Sequence, residues 1–418
     1  MSASEPLSVI GTTNARPPYR RFGLRQPDRL HHLYVIGKTG TGKSTLLETL
    51  ALQDMRAGRG LAVIDPHGDL AERLVRQVPE ERKAALAYFD APSLSQPYGY
   101  NPLRGVRADL VPLAAAGLLE AFKKLWPEAW GNRMEHVLRN ALYALLEYGK
   151  ATLPDVLRVL DDPSFRGKVL RRVKNEQVRR FWLEEFSHYN PRYRQEMIAP
   201  IQNKVGALLA DPRLYRIFTA APIDLSFRRA MDAGEIIIVN LSKGTLGEDS
   251  ATLLGALLVS TLGVAGLSRA ALSPADRRPF FVYIDEFQTF TTLSVANMVS
   301  ELRKQAVGLV LAHQHLHQTR EDVRQAILGN VGSFVAFRLG VEDAPVLARE
   351  FSPIFDAADF VQLKNHDCYV KLLIDGAPSR PFSATTLPPS IVGLIATSEK
   401  LSTQPVLCTS LLHPNLET

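Results

Sequence analysis

Residues 31–47 read HHLYVIGKTGTGKSTLL, and this stretch decides the fold. HHLYVI (31–36) reads as a short buried strand. From Ser44 to Met55, Leu46, Leu47, Leu50 and Leu52 recur with helix-like spacing up to a stop at Ala57-Gly58. Between them Gly37-Lys38-Thr39-Gly40-Thr41-Gly42-Lys43-Ser44 fits G-x-x-x-x-G-K-[ST], with the strand before and the helix after that the motif requires. Its glycines let the backbone wrap around phosphates and turn successive N–H groups inward, at a helix N-terminus that already favours anions. Lys43 is then expected to reach β- and γ-phosphate oxygens and the Ser44 hydroxyl to ligate Mg²⁺, with Thr45 completing the nucleotide-binding run. Gly37, Gly40 and Gly42 do not fit G-x-G-x-x-G, so a dinucleotide fold is not indicated.

Working outward, GLAVID (60–65) and ALAYFD (85–90) read as further strands, and strand–helix–strand alternation is the sign of a parallel α/β sheet. From about Asp109 the rhythm changes: Leu110–Tyr148, Leu153–Leu160 and Gln177–Leu214 have helical periodicity and no convincing strand. The α/β rhythm returns with EIIIVNL (235–241), a long apolar helix (about 249–270), PFFVYID (279–285), a helix around 294–306 and VGLVLA (307–312). SFVAFRL (333–339) and CYVKLLI (368–374) read as further strands. The predicted organisation is an irregular N-terminal arm (1–30), a discontinuous α/β domain (31–104 and 231–388), an all-helical insertion (105–230) and a tail (389–418).

Composition narrows the class. The chain has 418 residues, 46% of them apolar and 22% charged, too apolar for a disordered chain. Its two cysteines, Cys368 and Cys408, provide neither a disulfide framework nor a four-thiolate zinc site. The uncharged stretch Ala251–Ser268 is expected to be a buried core helix rather than a membrane span, and no integral membrane segment or signal peptide is expected. The net charge of +6 is unevenly spread: residues 105–230 hold 21 Lys+Arg against 14 Asp+Glu. A basic module on a nearly neutral body suggests a polyanion-facing surface.

The second chemical signal is Phe280-Phe281-Val282-Tyr283-Ile284-Asp285-Glu286, an apolar strand ending in two carboxylates. Asp285 is expected to hold the metal, directly or through water, and Glu286 to polarise the attacking water as general base from a strand adjacent to the phosphate loop. Having Glu beside Asp favours hydrolysis over transfer to a small acceptor. His313, His315 and His317 alternate, but nothing nearby offers a fourth ligand, so structural or surface roles are expected of them.

Taken together, HLYVIGKTGTGKSTLL (32–47), GLAVIDPHGDL (60–70), IIIVNLSKG (236–244), FFVYIDEFQTF (280–290), SELRKQAVGLVLAHQHLHQ (300–318) and GNVGSFVAFRLGVEDA (329–344) resemble the HerA/FtsK group of ring-forming P-loop motors, which includes the coupling ATPases of conjugative type IV secretion. The resemblance implies a RecA-like core and ATP with Mg²⁺ as substrate and cofactor. It implies that Gln314 senses the γ-phosphate, and that Arg338, or secondarily Arg303, reaches a neighbour's nucleotide as an arginine finger. Asp65 would be a further group near the metal or its waters. The helical insertion resembles the all-alpha domain of the coupling proteins. Those proteins usually carry N-terminal transmembrane helices, whereas none is expected in this chain, so the expected location is cytoplasmic, at a membrane only through a partner. The implied function is a homohexameric ring that translocates duplex DNA held by its phosphates. Two alternatives stand beside it: a motor for single-stranded DNA or a protein, and an ATP-dependent loading partner of a nuclease or another effector.

Overall fold

The computed structural model describes residues 7–219 and 222–392. Its eleven-stranded sheet begins with β1 (Ser8–Thr13), β2 (Arg21–Leu24), β3 (Leu33–Ile36), β4 (Gly60–Asp65) and β5 (Leu86–Asp90). It continues with β6 (Ile236–Asn240), β7 (Phe280–Ile284), β8 (Val307–His313), β9 (Ser333–Ala336), β10 (Asp367–Lys371) and β11 (Phe382–Thr386). The spatial order is β2-β1-β11-β10-β9-β3-β8-β7-β4-β6-β5. From β9 to β5 every pairing is parallel, and from β9 out to β2 every pairing is antiparallel.

All residues of β3, β4, β6, β7, β8 and β9 are buried, the continuous apolar reading of strands covered on both faces. The pleat sorts them. Leu33 and Val35 join one core with Leu46, Leu47 and Leu50 of α1 (Lys43–Arg56), while Tyr34 and Ile36 join a second core on the opposite face. That second core is continuous with the helical insertion. It includes Leu118, Leu119 and Phe122 of α2 (Val111–Leu125) and residues of α3 (Asn132–Tyr148) and α4 (Pro191–Leu209). The apolar helix α5 (Glu248–Ser268) lies in the same core. It is long and apolar enough to cross a membrane by length and composition, yet 72% of its apolar window is buried inside the protein. A short helix, α6 (Leu293–Leu302), precedes β8.

Three expectations need correction. Residues 8–24 are not an irregular arm: β1 and β2 extend the antiparallel side of the sheet, and Gln53 of α1 fixes β1 by bonding both Val9 N and Val9 O at 2.8 Å. The period-2 signal there is obscured by Gly11 and Gly23, which sit where ladder backbones pass closely. The helical run 110–148 is broken between Leu125 and Asn132, at Pro127 and Gly131. The phosphate-loop strand β3 and the acidic strand β7 are not adjacent, because β8 lies between them. A two-residue parallel ladder pairs Tyr98–Gly99, just before the predicted start of the insertion, with Ile223–Asp224, just inside its predicted end. Of the predicted tail, residues 393–418 lie outside the described part of the chain.

Candidate nucleotide site

The phosphate loop lies at the C-terminal edge of the parallel strands, where open α/β sheets place their ligand crevices. Its backbone is set by glycine. Gly42, the N-cap of α1, has φ +123°, and a Cβ there would lie 2.9 Å from the His366 ring. No side chain caps α1, so its first N–H groups face the crevice. Thr41 is buried and its hydroxyl donates to Lys38 O at 2.7 Å, while Lys38 N is tied to Arg338 O, so Gly37, Lys38 and Thr41 brace the loop from behind. A cavity of about 210 Å³ opens in front, lined by Thr39, Gly40, Gly42, Lys43, Ser44 and Thr45 from the loop and by Asp285, Glu286 and Gln314 from β7 and β8. His67 and His366 complete its wall.

The polar groups of this cavity form one connected set. Lys43 Nζ donates to Gly37 O at 2.6 Å and to Lys38 O at 3.1 Å. Burial lowers the Lys43 ammonium pKa, against the opposing pull of Glu286 and Asp285. Ser44 Oγ donates to Asp285 Oδ2 at 2.8 Å, joining the loop to the acidic strand across the intervening β8. Asp285 is pushed up to about 6, by burial first and by the neighbouring Glu286 charge second. Gln314 spans the gap: its Oε1 accepts from Thr39 Oγ1 at 2.9 Å and its Nε2 donates to Glu286 Oε1. The other Glu286 oxygen accepts from Gln288 Nε2 at 2.7 Å. Glu286 is held in a left-handed backbone conformation, φ 47° and ψ 50°, which an L residue keeps only when its surroundings enforce it.

This donor set fits Mg²⁺. A hydroxyl and a buried carboxylate offer hard oxygen ligands, with most of the coordination shell left for phosphate oxygens and water. Two adjacent buried carboxylates are the charge a divalent cation offsets.

The other sequence candidates fall differently. Asp65 is turned away from metal binding: its carboxylate accepts from His67 N at 2.8 Å and Ala71 N at 2.9 Å, holding the turn after β4. The Arg338 guanidinium bonds Leu363 O at 3.2 Å and Asn365 Oδ1 at 3.0 Å on its own chain. Arg303 is exposed before the start of β8, a seven-residue strand or about 23 Å from the end that carries Gln314. His313 is buried with Tyr34 Oη 2.9 Å from Nδ1 and Thr319 Oγ1 3.2 Å from Nε2, and burial holds it neutral with a pKa of about 3. His315 and His317 flank Asp343, and the described residues contain no three-ligand metal cluster. His67 and His366 line the cavity without having been site candidates in the sequence. His67 stood in view within DPHG, but His366 is delivered by a left-handed turn (φ 68°) and by its N–H bond to Thr41 O at 2.8 Å, which no local pattern announces.

In the helical insertion, Lys168, Arg171, Lys174 and Arg179 are exposed and, among the described residues, in no ion pair, whereas Arg180 and Arg192 pair with Glu184 and Glu196. A cavity of about 690 Å³ between the end of α2 and α4 holds none of the nucleotide-site residues.

A phosphate loop, an acidic strand end and an amide on the strand between them, set at the edge of a mainly parallel sheet, define a P-loop NTPase fold of the RecA-like kind. Residues 24–350 match the family described as the type IV secretion-system coupling protein DNA-binding domain, and the chain belongs to that family. Among solved structures, the bacterial conjugative coupling protein TrwBdeltaN70 in its unbound form is 15% identical, covers 90% of this chain and 88% of its own, and has a TM-score of 0.62. The plasmid coupling protein TrwB in complex with ADP and Mg²⁺ is 14% identical, with coverages of 92% and 95% and a TM-score of 0.62. VirB4 of Thermoanaerobacter pseudethanolicus is 13% identical, with coverages of 93% and 97% and a TM-score of 0.63. A search of curated protein sequences returned no significant match.

Proposed function

We propose that this chain is a Mg²⁺-dependent ATPase that assembles as a ring of six copies and drives duplex DNA through it, in the manner of a coupling-protein motor. One observation carries the reading: Thr39, Lys43, Ser44, Asp285, Glu286 and Gln314 converge on a single cavity, so that phosphate cradle, metal ligands and base face one another. The loop N–H groups and Lys43 bind the phosphates. Ser44 and Asp285 hold Mg²⁺, which supplies charge neutralisation at the phosphate oxygens. Glu286, aimed by the Gln314 and Gln288 amides, takes the proton of the attacking water. Gln314 touches both the loop and the base, so a change at the γ-phosphate reaches Glu286 directly.

TrwB has been solved with a non-hydrolysable ATP analogue, a GTP analogue, and ADP with Mg²⁺, which supports the nucleotide reading. Membership of a DNA-binding-domain family and the unpaired basic groups on the insertion support DNA as the cargo, held through phosphates without regard to sequence. A head-to-tail assembly in which Arg338 or Arg303 approaches the next subunit's nucleotide closes naturally into a ring. In this reading the motor works in the cytoplasm and meets a membrane through a partner.

Mg²⁺-ATPase activity should rise on adding duplex DNA, and the protein should displace the third strand of a triplex in an ATP-dependent way. ATPase that ignores duplex but responds to single strands or to a protein would move the cargo to one of those. A third strand left in place despite active ATPase would favour a loading role.

A further inference from the structure

The loop that follows the acidic pair is fastened to the helical insertion by one side chain. Lys124, in the last turn of α2, donates from Nζ to Gln288 O at 2.7 Å and to Thr291 O at 2.9 Å. No carboxylate pairs with it among the described residues, so two backbone carbonyls hold its charge, and charge-assisted bonds of this kind are the stronger sort. The same loop is fastened to the base. Gln288 Nε2 donates to Glu286 Oε2 at 2.7 Å and to Gln318 Oε1 at 3.1 Å. Gln288 Oε1 is buried without a partner among the described residues, where donated bonds alone hold this amide. Between these two points Phe290 packs against α5 at Gly255, where an added Cβ would lie 2.2 Å from its ring.

The seam above the loop is not filled. A cavity of about 340 Å³ lies there, lined in part by Lys123, Lys124, Gln288, Thr291, Gln318 and Arg320. A close-packed seam would resist sliding of α2, and this one leaves room for it. The five-residue loop 287–291 thus bonds to both the insertion and the base.

We propose that Lys124 is a positioning residue for hydrolysis: displacement of α2 pulls the Gln288 and Thr291 carbonyls and re-aims Glu286 through the Gln288 amide. DNA held by the basic insertion then sets the rate of the base at the far side of the core. This rests on the ATPase reading given above and goes beyond it by naming the element that joins the insertion to the base. Coupling requires an element whose arrangement both sites bias, and the loop 287–291 is bonded to both.

The test uses the full chain with Lys124→Met, which keeps the aliphatic stem and removes the ammonium, and with Lys124→Arg, which keeps the charge. In Lys124→Met, kcat for Mg-ATP should fall about tenfold while KM changes less than about twofold, and stimulation by a short duplex should be lost. Lys124→Arg should recover part of both. A merely structural lysine would instead move kcat and KM together or move neither, and either result overturns the proposal. Equal stimulation in Lys124→Met and wild type does so as well. Should Lys124→Met fail to fold, hydrogen exchange of wild-type residues 287–291 decides: duplex must change their protection, and unchanged protection refutes the link. A wild-type protein without Mg-ATPase activity removes the site reading and this inference together. An active wild type with an indistinguishable Lys124→Met removes the inference alone.

Discussion

Lys43 and Glu286 face one cavity of about 210 Å³, yet their removal should leave different signatures. Lys43→Ala takes away the charge that meets the phosphates, so nucleotide affinity, read with a fluorescent analogue, and turnover should fall together. Glu286→Gln keeps the Ser44–Asp285 pair intact and removes only the base. ATP should stay bound while hydrolysis falls about a hundredfold or more, as single-turnover measurements would record. A Glu286→Gln protein that hydrolyses ATP normally would displace Glu286 from the role of base. The left-handed backbone at Glu286 points the same way, because a conformation costing about 1 kcal/mol or more persists where its side chain must be aimed.

At the scale of elements, two buried polar assemblies tie helices and strands together beneath the site. Asp54 of α1 is fully buried and accepts from Arg29 at 2.5 and 2.8 Å, from Arg59 Nη1 at 2.9 Å and from Tyr283 Oη of β7 at 2.5 Å. Asp54→Ala would strand a buried guanidinium, and unfolding by denaturant should register a loss of about 3–5 kcal/mol. The second assembly is His32, just before β3. Its Nδ1 accepts from Leu309 N at 3.0 Å while Nε2 lies 2.8 Å from Val299 O, an arrangement only the neutral ring can make. Burial lowers its pKa from 6.5 to about 4 and that of His313 to about 3. Below 6.5 the unfolded chain therefore binds more protons at these two sites, and stability should fall with falling pH by up to about 1.4 kcal/mol per unit for each. Asp285 acts in the opposite sense between 3.8 and about 6, since its raised pKa favours the folded state in acid. Between about pH 7 and about pH 5 the histidines set the net slope, and burial of His31, which lowers its pKa too, adds in the same sense. Denaturation midpoints should drop between about pH 7 and about pH 5, and less so in His32→Gln, which titrates nothing there.

At the scale of the whole molecule, the proposed ring makes a claim about stoichiometry and about Arg338. In one protomer its guanidinium is taken up by Leu363 O and Asn365 Oδ1, beside its own phosphate loop. A role across an interface requires those two bonds to be exchanged for contacts on the neighbour. Mixing Arg338→Ala with Glu286→Gln subunits should restore some ATPase if Arg338 acts on the next subunit, because one interface in the mixture then carries both intact groups. No recovery would assign it to its own site.

The parts legible in the sequence are those whose chemistry is contiguous. The phosphate loop needs eight successive residues with particular backbone freedom, and Asp285-Glu286 needs only the end of an apolar strand; the two line one cavity. β1 and β2 pair with each other, but β1's other partner, β11, lies some 370 residues away, and a short run with two glycines has no clear period of its own. The separation of β3 from β7 by β8, and the arrival of Lys124, His67 and His366 around the loop and the acidic pair, were decided by tertiary structure. Local sequence dictates which conformations a segment can adopt and which chemistry it offers. Which distant side chains then come within 3 Å depends on strand order and on how two helical layers share one core. That choice is made by burial and pairing over the whole chain.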